Sequence, residues 1–287
     1  MYLAEQITAP VAFHGEGPFW DSRNNRLLCM DVFAGTVVAL DATGGLRRYP
    51  VPSGVATTIR RRTTSGYIIA TERGLTISND ELTVFEHFAQ VVSDPAVRTN
   101  DGSCDPLGNF VIGTMSYNEI PNCGAVYRVT PDRRVTEILA PVSISNGVQY
   151  SADGTHVYYV DTPTGCIDVF KVHPRTGAWS DRRTHIRVQD TAGVPDGMAI
   201  DEAGGLWIAL WGGGAVNYYD NTGRLIEEIA VPGVSQVSSC TFGGSGRNLL
   251  FITTSRKGLH LDHESAAGAL FMVETAERGV VPSAFAG

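Results

Sequence analysis

One pattern returns along this chain at intervals of about 45 residues: a polar anchor, a short strand, a tight turn, then a strand of large apolar residues. It is clearest in HGEGPFWDSRNNRLLCMDV, TNDGSCDPLGNFVIGTM, SNGVQYSADGTHVYYVDT and PDGMAIDEAGGLWIALW, whose anchors are Glu16, Asn100, Asn146 and Asp196. Glu16 and Asn100 lie 84 residues apart, twice 42; the next two intervals are 46 and 50. Five residues after three of the anchors stands an aspartate, Asp21, Asp105 or Asp201, and eight after three of them a glycine, Gly108, Gly154 or Gly204. Asp and Gly at fixed offsets mark tight hairpin turns.

The double interval calls for a unit near Thr58, where TTIRRRTTSGYIIATERG fits, and a sixth begins near Ser239 with SSCTFGGSGRNLLFITTSRKG. Further runs such as TVVALDATG, AVYRVTPD, CIDVFKVHPRTG and AVNYYDNTG supply later strands of each unit. The runs are β-branched and aromatic, which excludes a helical array. The sequence therefore predicts an all-β, six-bladed β-propeller, with five or seven blades as the alternatives, four-stranded blades around a central channel and residues 1–287 forming one domain. Ring closure is expected to mix the termini, with residues 11–13 or 270–274 completing a blade. A short helical turn is expected only within 86–97.

Composition narrows the function. The chain of 287 residues carries a formal net charge of -8, which disfavours nucleic acid and anionic membranes as partners. The run Arg60-Arg61-Arg62 reads as a solvated turn or strand edge. No apolar stretch reaches the ~18 residues that span a bilayer, and the N-terminus lacks a signal-peptide pattern, so a cytoplasmic protein is expected. The five cysteines are scattered with no CxxC pair, as expected of free thiols in a reducing compartment. Neither a GxSxG elbow nor HExxH occurs.

Inner strands of a propeller line its channel, so the anchors are expected to converge near one mouth. Two carboxylates with amide oxygens suit a hard divalent cation: Ca²⁺ first, with Mg²⁺, Mn²⁺, Zn²⁺ or Fe²⁺ as alternatives. Each anchor alone would pass as a turn residue; four in register, with Glu16 among them, point to a site. His14 reads as structural despite its place beside Gly15-Glu16. Trp211 is a candidate pocket floor, and Tyr117 a candidate lid residue. Arg98, taken alone, could be a surface charge paired with Asp94 or Asp101.

The segments GEGP (15–18), RTND (98–101), GTM (113–115), SNG (145–147), PDGMAID (195–201), LWGGG (210–214), FGG (242–244) and SRKGL (255–259) run over nearly the whole chain. Together they resemble the senescence marker protein/gluconolactonase/luciferin-regenerating enzyme family of six-bladed propellers, in its bacterial aldonolactonase-like branch. The resemblance implies metal-dependent lactone hydrolysis by a carboxylic ester hydrolase of carbohydrate metabolism. It implies Glu16, Asn146 and Asp196 as metal ligands, Asp196 also as general base, and Arg98 and Asn100 as substrate contacts. Where some relatives carry an acidic sugar contact just after GTM, this chain reads SYNEIPNCG, which makes Glu119 or Asn118 the candidate. The expected substrate is a sugar aldonolactone such as gluconolactone or xylonolactone, with no obligate protein partner. The alternatives are hydrolysis of non-sugar lactones or phosphotriesters on the same scaffold, or a noncatalytic metal-binding propeller.

Overall fold

The computed structural model describes residues 2–189, 193–260 and 264–287. Six sheets of four hydrogen-bonded strands follow one another along the chain, one of them extended by a fifth strand. Their innermost strands are Gly15–Asp21, Ala56–Arg61, Val97–Cys104, Ser145–Tyr150, Val194–Ile200 and Val237–Gly243, here the first strands of blades 1 to 6. Each packs against the next, and the sixth against the first, so the ring closes.

Burial within a blade follows from this stacking. The second strands, such as Phe110–Ser116 and Leu206–Trp211, are sandwiched between neighbouring blades and are buried almost throughout. That is why they read as continuous apolar runs rather than alternating ones. The outermost strands, such as Trp179–Arg187, face solvent and are polar. The hydrophobic core is correspondingly divided into six clusters, one at each blade interface.

Blade 6 holds the ring closed. Phe271–Glu274 is its third strand, and Glu5–Gln6 from the N-terminus is its fourth. The expectation for residues 11–13 is thereby corrected: they form no strand, and Val11 enters the cluster between blades 6 and 1. Tyr2–Leu3 adds a parallel strand to the rim of blade 5. The helical turn expected within 86–97 is also corrected, because Phe85–Gln90 is the outer strand of blade 2. Among the described residues no helix is long and apolar enough to cross a membrane.

The basic run is not solvated. Strand alternation sends Arg60 toward the channel and Arg61 into the seam between blades 1 and 2, and both are buried. Arg60 donates to Thr58 Oγ1 at 2.9 Å. Arg61 pairs with Asp21 at 2.9 Å and also bonds Asp80. Three arginines in a row resemble a surface by composition, but the pleat separates their environments. Of the five cysteines, all free, Cys123 is exposed and the other four are buried.

Candidate active site

Every inner strand carries a β-bulge at the anchor place. The pairing register slips between Glu16 and Phe19, Ala56 and Thr58, Thr99 and Gly102, Asn146 and Val148, Pro195 and Met198, and Val237 and Ser239. A bulge re-aims side chains out of the ladder and tightens the local twist. Here it turns the anchors toward the channel axis. Glu16, Asn100, Asn146 and Asp196 all line one cavity of about 270 Å³ at the mouth where the inner strands begin. Thr58 and Ser239, the places assigned to blades 2 and 6 by counting, do not line it. Ser239 instead borders a separate cavity of about 180 Å³ at the other end of the channel.

A chain of hydrogen bonds fixes the cavity wall across three blades. Arg98 donates through Nη1 to Thr99 O at 2.8 Å and to Asn100 Oδ1 at 2.7 Å. Asn100 Nδ2 donates to Ser145 O at 3.0 Å and to Asn146 Oδ1 at 2.7 Å. Asn146 Nδ2 donates to Thr162 Oγ1 at 2.8 Å, and that hydroxyl donates to Pro195 O, beside Asp196, at 2.9 Å. Each amide is therefore held in one orientation.

Asp196 is buried, and its Oδ1 has no hydrogen-bond partner. Burial pushes its carboxyl above the ordinary range, helped by the negative charge of Asp101 and opposed by Lys257, Arg98 and the Gly197 N–H. Burial raises Glu16 in the same way, reinforced by Asp196 and Asp101. The site thus concentrates desolvated carboxylates that want a positive partner. Among the described residues no three His, Cys, Asp or Glu side chains form a metal-binding group; the polar groups that line the mouth include the amides of Asn100 and Asn146.

Arg98 is 2% exposed. Its hydrogen bonds go to Thr99 and Asn100 rather than to a surface aspartate, and its guanidinium lies 5.5 Å from the Phe33 ring centroid and 5.9 Å from that of Tyr117. Trp211, Met115 and Ile144 add apolar surface to the same cavity. Tyr117, the candidate lid residue, does not line the cavity; its hydroxyl donates to Glu72 at 2.8 Å. Of the two candidates after GTM, Glu119 lines the cavity and Asn118 does not.

Two residues were missed by sequence reasoning. His14, read as structural, lines the cavity; its Nδ1 is 2.8 Å from Ser255 Oγ, and its ring stacks on Phe33. Burial, with Arg98 and Lys257 nearby, holds its pKa down to about 3, so it is a neutral imidazole. Its position two residues before Glu16 was the available signal. Lys257, within the SRKGL run, reaches over the cavity to Glu119 at 2.8 Å. Nothing local in the sequence marks that contact.

Comparison with known proteins agrees with this architecture. Residues 14–256 match the SMP-30/Gluconolactonase/LRE-like region. Regucalcin of Xenopus laevis is 32% identical over 285 residues, 95% of each chain. The structure of a calcium-binding protein, regucalcin, from Agrobacterium tumefaciens superimposes with a TM-score of 0.93 at 27% identity, covering 99% of this chain and 97% of that one. A luciferin-regenerating enzyme structure gives 0.91 at 25% identity, covering 99% of both. Bulged inner strands, an oxygen-lined mouth and a match over most of the length lead to one conclusion: the chain belongs to the SMP-30/gluconolactonase/LRE-like family.

Proposed function

We propose that this protein is a lactonase that hydrolyses a sugar aldonolactone, of the gluconolactone or xylonolactone kind, to the aldonic acid with the help of one divalent cation. The observation that carries this reading is the mouth cavity: carboxylate and amide oxygens of Glu16, Asn146 and Asp196 border the same space as the guanidinium of Arg98 and the amide of Asn100.

The donor set fits a hard cation. It is oxygen-only, Asp196 Oδ1 is buried and unpartnered, and the Asn146 amide is locked with its nitrogen on Thr162. Glu16, Asn146 and Asp196 would hold the ion, and the calcium-binding description of the Agrobacterium relative makes Ca²⁺ the first choice. When bound, such a cation would supply Lewis-acid activation of a carbonyl and of water.

The chain's own residues supply the rest. Asp196 would take a proton from the attacking water through its carboxylate. Water oxygen bonds to the carbonyl carbon, the ring C–O bond breaks, and the proton passes to the ring oxygen as it leaves as a hydroxyl. Arg98, held rigid between Thr99 and Asn100, donates to substrate oxygens and fixes the ring over the carboxylates. The apolar wall of Trp211 and Met115 receives the C–H face of the sugar. His14, neutral and tied to Ser255, shapes the floor without adding charge.

The test is metal depletion. Protein stripped by chelator loses D-gluconolactone hydrolysis, followed by acid release, and regains it with Ca²⁺, Mn²⁺ or Zn²⁺. Activity indifferent to chelator rejects the metal-assisted reaction, and metal binding without hydrolysis of any aldonolactone supports a noncatalytic propeller.

A further inference from the structure

The ion pair between Lys257 and Glu119 crosses the mouth of the cavity. Glu119 lies in the loop after the second strand of blade 3, Phe110–Ser116, and Lys257 in the loop after the second strand of blade 6, Leu249–Thr254. In a ring of six these blades stand opposite each other. Residues 138 apart in sequence are thus joined at 2.8 Å, and both line the cavity.

Both ends are aimed. The Lys257 N–H donates to Ser255 Oγ at 3.0 Å, and that hydroxyl is hydrogen-bonded to His14 Nδ1 at 2.8 Å, so the lysine backbone is tied to the cavity floor. Glu119 has φ 55, a left-handed conformation for a residue with a Cβ, which costs about 1–3 kcal/mol. Its loop is held on one flank by Tyr117 on Glu72 and on the other by the Asn122 N–H on Ser143 Oγ at 3.2 Å. Strain is therefore kept where it points a carboxylate over the cavity.

As a brace the pair does little. Its side chains are 35% and 50% exposed, and such pairs contribute about 0–1 kcal/mol. As a reader of ligands it has a clear chemistry. Ammonium offers donors and carboxylate offers acceptors. Ligand hydroxyls inserted between them replace the bond they break, donating to Glu119 and accepting from Lys257. An apolar substituent breaks the same bond and gives nothing back.

We propose that Lys257 is a specificity-determining residue which, with Glu119, reads the hydroxyl groups on the mouth-facing part of the substrate and so selects polyhydroxylated lactones over unsubstituted ones. This rests on the lactonase reading above.

The test uses Ca²⁺-loaded protein and two readouts. In the first, D-glucitol is titrated by calorimetry into wild type, Lys257→Met and Lys257→Arg. Binding weakens about tenfold in Lys257→Met, the size of one charge-assisted hydrogen bond, and Lys257→Arg restores most of it. In the second, kcat/KM for D-gluconolactone over δ-valerolactone falls about tenfold in Lys257→Met, with the loss in KM rather than kcat. Wild type that does not bind glucitol, Lys257→Met that binds it as tightly as wild type, or an equal loss on both lactones overturns the proposal. If wild type hydrolyses neither lactone while Lys257→Met loses glucitol binding, the lactonase reading fails and the role of Lys257 stands.

Discussion

Asn100 donates its Nδ2 to Asn146 Oδ1 at 2.7 Å, joining the inner strands of blades 3 and 4 across the mouth of the channel. The contact couples the two halves of the site. Asn100 also accepts from Arg98 on the substrate side, while Asn146 belongs to the proposed cation side. Asn100 is thus a positioning residue for an amide oxygen that would bind metal through its remaining lone pair.

Truncating Asn100 is expected to weaken a cation it does not itself touch. Partners that orient metal ligands typically contribute 10–100-fold in affinity, so Asn100→Ala weakens Ca²⁺ binding by about tenfold or more. Isothermal titration with Ca²⁺ measures this directly. Unchanged affinity would separate Asn100 from the cation side and leave it as a substrate contact alone.

Asp196→Asn separates two costs of the same carboxylate. In the metal-free protein the charged form is disfavoured by burial and by Asp101, so a neutral side chain of the same shape relieves an unfavourable interaction. Metal-free Asp196→Asn is therefore expected to melt no lower than metal-free wild type. The stabilisation gained on adding Ca²⁺ is about 2.7 kcal/mol when the ion is at a hundred times its Kd, and it shrinks in the variant because a ligand charge is gone. Paired melting curves with and without Ca²⁺ decide the matter. A variant that melts well below wild type without metal contradicts the idea of an unsatisfied buried charge, and full lactone turnover rejects Asp196 as the base.

The aspartates five residues beyond the anchors hold the fold rather than the site. Asp21 has no exposed side-chain surface. It accepts from Tyr67 Oη at 2.5 Å and from Asn24 at 2.8 Å, and pairs with Arg61 at 2.9 Å, pinning blade 1 to blade 2. Removing one partner of a buried ion pair costs about 3–5 kcal/mol, so Asp21→Asn lowers stability by that order. Tyr67→Phe, which removes the hydrogen bond to Asp21 and the one accepted from Arg26 at 2.7 Å, costs at least about 1.5–3 kcal/mol. Denaturant midpoints measure both. A double variant that loses less than the sum of the two single losses shows that they act in one network.

These same aspartates explain how much of the fold was legible. Asp105 Oδ1 accepts the N–H groups of Leu107 and Asn109, and Asp201 Oδ1 those of Ala203 and Gly205, so each hairpin needs an aspartate at a fixed place. A local requirement met in blades 3 and 5, with Asp21 at the same place in blade 1, leaves a period in the sequence, and with it the blade count and four converging residues. Lys257 reaches Glu119 across the ring, and Glu5–Gln6 completes the last blade. Each of these depends on closure, which brings together residues with no common spacing. His14 lies between the two cases: its neighbourhood was readable, but its ring stacks on Phe33 and abuts Trp211 from another blade.

Gly197, next to Asp196, tests whether the inner ring tolerates any expansion. A Cβ there would lie 2.1 Å from Ser239 Oγ, 2.5 Å from its Cβ and 2.8 Å from its Cα. The last of these is backbone, so the clash cannot be cleared by a rotamer change, and blades 5 and 6 must move apart. Overpacking of this kind typically costs about 1–3 kcal/mol, and here it displaces the neighbouring carboxylate as well. Gly197→Ala is therefore expected to lower both the melting temperature and Ca²⁺ affinity. Adding Ser239→Ala removes only the hydroxyl contact and leaves those at 2.5 and 2.8 Å, so it restores neither. Full rescue by that second change would show that the ring yields at the side chain alone and that Asp196 is not held by the spacing between blades 5 and 6.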